Sequence, residues 1–247
     1  MRDVAGVPSD ITTLEEVLRC LARGCAAPHT PTDMWGEIKF PLANGQGKNF
    51  ELVWPDYGGE QIKQVFDTRE VTKKWADLLK NANGWVFLIR LGMEPVYKGI
   101  NFPQNGDLPT AFESKRTERW DANAYWVELI QILLHVSNIG YVNKISIPKI
   151  AILLSCYDEL PEEKIGETPK ETLKAYLPLF HSFIFSNMHE NCATVWGLSS
   201  LGCNLAEDSQ NDAFIDQGPE EQGWIINPTG GKSDDLSAPI AWLIANL

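Results

Sequence analysis

The sequence lacks any run of 18 apolar residues, so no membrane span is expected. It opens Met-Arg-Asp-Val-Ala-Gly, without the apolar core of a secretory leader. Cysteine is sparse: Cys20, Cys25, Cys156, Cys192 and Cys203 are odd in number, widely spaced and free of any Cys-x-x-Cys pair. The four histidines (His29, His135, His181, His189) do not cluster with them, and His189 with Cys192 is too little for a metal site. These absences argue against a disulfide framework or structural zinc and for reduced thiols in the cytoplasm. Positive charge is also short. Lys and Arg number 21 against 33 Asp and Glu, a net charge of −12. Such a surface argues against nonspecific binding to DNA, RNA or anionic lipid, while leaving room for a small basic pocket. No Ser-His-Asp or Cys-His arrangement has supporting local sequence.

What is present suits a globular domain with a full core. The 247 residues, 44% apolar, fit one α/β domain over 1–247, with one sizeable insertion. Nine tryptophans read as packing residues. Leu14, Val17, Leu18 and Leu21 predict a helix over 10–24 that Gly24 can end. Residues 35–42 and 49–55 read as strands joined by a glycine-rich turn. A helix is expected over 60–81, then the buried strand Trp85–Leu91. Residues 92–120 lack periodicity, which marks an insertion with function or a mobile segment. An amphipathic helix follows over 121–137, capped by Asp121. Residues 147–154 form a fully apolar strand, 168–188 a helix broken at Pro178, and 193–198 another buried strand. Residues 204–222 read as an exposed acidic loop, Trp224-Ile-Ile as a short edge strand, and 237–247 as a final helix. Buried strands alternating with helices predict a mostly parallel sheet covered on both faces, with the 35–55 hairpin adding one antiparallel edge strand.

In such a sheet, ligands bind beyond the carboxyl ends of the strands. Three of those ends carry polar residues. The first is Asp56-Tyr-Gly58-Gly59-Glu60, the second Ser155-Cys-Tyr-Asp158-Glu, and the third Ser199-Ser200-Leu-Gly202. Each has an ordinary alternative: a strand-ending turn, a capping turn before Pro161, and a plain polar turn. Arg90, ending a buried strand, has a better claim to a pocket than Lys73, Lys74, Arg116 or Arg119, which read as solvated.

The order Asp-x-x-Gly, then x-x-x-Asp, then a Ser-Ser loop resembles the P-loop GTPases of the translation-factor and Ras-like class. The wording is most similar to the bacterial double-GTPase families of predicted conflict (anti-phage) gene clusters. The strings that carry it are Asp56…Gly59-Glu60, Ser155-Cys-Tyr-Asp158-Glu-Leu160, Ser199-Ser-Leu-Gly202 and Pro239-Ile-Ala-Trp242-Leu. The resemblance spans about residues 10–247 and implies a three-layer GTPase-like fold. It implies that Asp158 accepts hydrogen bonds from the guanine N1–H and amine, and that Ser199 and Ser200 lie under the base. Asp56 and Thr30 or Thr32 would serve Mg²⁺. Gly58 and Gly59 would bring a backbone N–H to the terminal phosphate, and Glu60 would orient the attacking water. GTP or GDP with Mg²⁺ is the implied ligand, and a protein partner the implied audience of the switch.

Two departures accompany the resemblance. Cys156 stands where the family carries the lysine that packs on the base. A phosphate loop, Gly-x-x-x-x-Gly-Lys-Ser/Thr, is expected before residue 10, and no such string occurs there. Gly231-Lys232-Ser233 comes after the other motifs and has Ile226 where the first glycine belongs, so it reads as a turn. Two expectations follow. Either Met1 is internal to a longer GTP hydrolase, or the chain is a degenerate, nucleotide-free interaction module. In both, the first and central strand of the sheet is expected to be missing, with apolar surface left for something to cover.

Overall fold

The computed structural model describes residues 2–3, 12–28, 36–43, 47–56, 59–91, 121–140, 143–162 and 165–245. The expected insertion at 92–120 lies outside them. Two sheets form. The first has three antiparallel strands in the order β1 (Arg2–Asp3), β2 (Gly36–Ala43) and β3 (Asn49–Asp56). Its hairpin register runs from Gly36 opposite Asp56 to Ala43 opposite Asn49.

The second sheet has five strands in the order β4 (Gly84–Arg90), β5 (Lys149–Ser155), β6 (Ala193–Ser199), β7 (Trp224–Ile226) and β8 (Lys232–Ser233). Strands β4, β5 and β6 are parallel, whereas β7 and β8 run antiparallel. The α/β fold with a mostly parallel sheet is therefore present. Its antiparallel edge comes from β7 and β8, while the hairpin stands in a sheet of its own. Gly231-Lys232-Ser233 contributes β8 rather than a bare turn. Among the described residues, β4 has a strand partner only in β5 and β3 only in β2.

The middle strand β5 is apolar from Ile150 to Leu154 because both of its faces are covered. Trp85, Phe87 and Ile89 of β4, with Ile150, Ile152 and Leu154 of β5, pack into the main core. That core includes α4 (Ala122–Val136), α5 (Pro169–Tyr176) and α6 (Pro178–Asn187). On the opposite face, Leu153, Trp196 and Ile225 meet Trp242 of α8 (Ala238–Ile244). Leu88 of β4 is 44% exposed on that side. Helix α4 begins where Asp121 accepts a hydrogen bond from the Asn123 N–H, and Asn123 in turn accepts from Leu179 N–H of α6. Thr168 and Glu171 close a capping box on α5, and Pro178 separates α5 from α6 as its missing N–H requires.

Elsewhere the chain departs from its sequence pattern. Residues 60–81 form two helices, α2 (Gly59–Thr68) and α3 (Lys73–Asn81). Arg69 between them is left-handed (φ 57°), and Thr72 starts α3 by accepting from the Trp75 N–H. The 204–222 segment holds α7 (Asp212–Gln217), capped by Asn211, and sinks Phe214 and Leu205 into the interior. The first helix is shorter than expected, α1 (Thr12–Leu21), and leaves Val17 and Leu18 exposed. Among the described residues, no helix is long and apolar enough to cross a membrane.

Candidate functional site

The site is built where β4, β5 and β6 end. Their parallel registers place Arg90 beside Ser155 and Ser155 beside Leu198. The segments after Ser155 and Leu198, which hold Asp158 and Ser199, therefore leave the sheet from adjacent strands at the same end. After β5 the chain must turn at once. Cys156 makes that turn in the left-handed region (φ 51°, ψ 44°), and a 3-10 turn over Tyr157–Glu159 follows. The turn buries its first side chain and exposes the next two. Tyr157 is buried, with its hydroxyl 2.9 Å from Thr172 Oγ1, whereas Asp158 and Glu159 face solvent. An anchored tyrosine thus fixes the backbone that presents an exposed carboxylate.

Arg90 reaches across this end of the sheet. Its Nη2 donates to Glu159 Oε2 at 2.6 Å. Cys156 lies half-buried beside this pair. Burial pushes its thiol pKa up, the positive charge of Arg90 opposes that shift, and the charges of Glu159 and Asp158 reinforce it. The thiol is therefore held protonated at neutral pH rather than activated as a nucleophile.

Ser199 is turned inward. It is only 1% exposed, and its Oγ accepts the Gly202 N–H at 3.1 Å. The hydroxyl shapes the loop after β6, while Ser200 beside it is exposed. A cavity of about 320 Å³ is lined by the carboxylates Asp158, Glu162 and Glu167 together with Tyr157, Trp224 and Ile226.

The remaining predicted residues belong to the other sheet or lie outside the described chain. Asp56 is the last residue of β3, and Gly59 and Glu60 open α2. Gly58, Thr30 and Thr32 lie outside the described residues. Asp158, Ser199 and Ser200 are thus brought to one end of adjacent strands, and Asp56 and Glu60 are not joined to them by strand pairing. Among the described residues, no group of three or more His, Cys, Asp or Glu side chains is placed to hold a metal ion. All five cysteines are free thiols. The sequence pattern did not reveal the Arg90–Glu159 pair or the Tyr157 anchor; an arginine ending a buried strand was the one available signal for the former.

Fold and strand-end chemistry define a class: an α/β domain that presents carboxylates and a serine-glycine loop beyond its parallel strands. The family model described as Double-GTPase 1 matches residues 3–243, and the chain belongs to that family. It is accordingly a GTPase-like domain, and the family implies guanine nucleotide and Mg²⁺ as its ligands in general. Comparison with curated proteins and with solved structures finds no match for this chain.

Proposed function

We propose that this domain binds guanine nucleotide at the carboxyl ends of β5 and β6, with Asp158 reading the base. The observation that carries the proposal is an exposed carboxylate fixed by the buried Tyr157. A carboxylate offers two acceptors to the paired N–H groups of guanine and nothing to the adenine edge, where an acceptor would meet it. The Ser199–Gly202 loop, held in shape from within, lines the neighbouring strand end. Asp56 is assigned to Mg²⁺ together with Thr30 or Thr32, Gly58 and Gly59 to the terminal phosphate, and Glu60 to the attacking water, by their place in the sequence. On this reading the segments 28–34 and 56–62 are the switches that report the nucleotide to a protein partner, in the setting of a bacterial conflict system.

The test is titration of the chain with labelled GTP and ATP, with and without Mg²⁺, beside Asp158→Ala. Mg²⁺-dependent binding that prefers guanine and is lost in the variant supports the proposal. Absence of binding at high micromolar nucleotide refutes it for this chain.

A second reading rests on Cys156. A short, half-buried thiol replaces a cationic stem at the base position, as expected of a module that keeps the fold and binds protein instead of nucleotide. Tight GTP binding by the 247-residue chain would exclude it.

A further inference from the structure

The acidic end of the second sheet poses an electrostatic problem. Asp158 and Glu159 are both exposed there, in a chain of net charge −12, and the proposed ligand is itself an anion. Something positive must offset them, and position 156 offers only a thiol. Arg90 meets the requirement from the adjacent strand. It is the last residue of β4, in register with the last residue of β5. Its Nη2 is 2.6 Å from Glu159 Oε2, and its side chain remains 43% exposed.

Resting on the nucleotide reading above, we infer that Arg90 is the cationic contact for the base, its guanidinium lying along the face of the ring whose edge Asp158 reads. The geometry favours the base over the phosphates. The carboxylate that tethers Arg90 is the immediate neighbour of Asp158, whereas Asp56, assigned to the metal, ends β3 in the other sheet. A guanidinium that spends its N–H edge on a carboxylate keeps its flat face free, and that face stacks on aromatic rings. Glu159 thereby becomes a positioning residue, holding the guanidinium close to the base site without touching the ligand. The arrangement replaces a cation carried on the loop after β5 with one carried on the neighbouring strand.

The experiment is competition against ribose-labelled GTP by guanosine, GDP and GTP, on the full chain. It compares wild type, Arg90→Ala, Arg90→Lys, Glu159→Gln and Asp158→Ala, with thermal unfolding of each. The inference predicts that Arg90→Ala weakens guanosine, GDP and GTP by the same factor, about tenfold, as loss of one stacking partner does. Arg90→Lys should recover only part, because an ammonium lacks the flat face. Glu159→Gln should weaken all three ligands by a smaller common factor. A loss that grows from guanosine to GTP would make Arg90 a phosphate contact and overturn the inference. So would unchanged affinities in Arg90→Ala while Asp158→Ala still abolishes binding, and there the nucleotide reading itself survives. Wild type that binds none of the three ligands removes both. Arg90 is exposed, so its variants are expected to unfold at the wild-type temperature, and a lowered temperature shared by Arg90→Ala and Glu159→Gln with equal losses for unrelated ligands would reveal a purely structural pair.

Discussion

Gly197 lies so close beneath Tyr157 that a β-carbon placed on it would fall 2.9 Å from Cγ and Cδ2 of the ring. The ring is buried, meets Trp224 edge-on at 6.5 Å, and is tied through its hydroxyl to Thr172. Both contacts hold the ring where it lies over Gly197. Gly197→Ala should therefore lower stability by about 1–3 kcal/mol, measured by thermal or urea unfolding, as overpacking of a core does. Because Tyr157 adjoins Asp158, the same variant should also weaken guanine binding. Wild-type stability in this variant would show that the ring is not locked.

Tyr157→Phe tests the other end of that anchor. Thr172 Oγ1 also accepts the Gly166 N–H and donates to the Thr168 carbonyl, so removing the phenol leaves it partnered. The expected loss is about 1 kcal/mol, the net worth of one hydrogen bond. A loss several times larger would mean that the hydroxyl organises the 160–168 segment as a whole.

Ser199→Ala removes the acceptor for the Gly202 N–H. Gly202 sits at φ +68° with the Gln222 carbonyl 2.6 Å from where its β-carbon would be, so the position accepts only glycine without strain. We expect a stability loss of about 1 kcal/mol. Nucleotide affinity should fall less than in Asp158→Ala, since Ser199 acts through the loop. Parallel urea titrations and GTP titrations separate the two effects.

Acid should weaken the hairpin's link to α3. The ammonium of Lys74, 3.0 Å from Glu37 Oε2, with help from Lys39, holds the Glu37 carboxyl below the usual carboxylate range, against the opposing effect of burial. A depressed folded-state pKa gives stability that is present above the unfolded value, about 4.3, and is lost as pH falls through the lower folded value. Glu37→Gln should therefore lose less stability than wild type between about pH 5 and pH 3. Equal acid sensitivity of the two proteins would show that the pair does not persist in solution.

Where the sequence was legible, a local pattern and the tertiary fold agreed. The run Ile150–Leu154 is apolar on both faces because both are covered, and Asp121 and Pro178 mark a helix start and a helix break by their own chemistry. The split at Arg69 carries no glycine or proline to announce it. Helix α7 has six residues around the buried Phe214, too few for a periodic signal. Hairpin alternation says which face is buried but not which sheet the hairpin joins. At the site, Asp158 and Ser199 could be placed at strand ends from composition alone. The inward turn of Ser199 toward Gly202 and the reach of Arg90 to Glu159 could not, because both depend on register and loop geometry set by residues far along the chain.

If Asp158 reads the base, Asp158→Asn should change which base is read. The amide turns one acceptor into a donor, which no longer suits the guanine amine but suits a base with a carbonyl in its place, as in xanthine. In equilibrium titrations with Mg²⁺, wild type should prefer GTP over XTP, and Asp158→Asn should lose GTP affinity while gaining XTP affinity. Affinities for the two nucleotides that stay unchanged, or that fall together, would contradict the account.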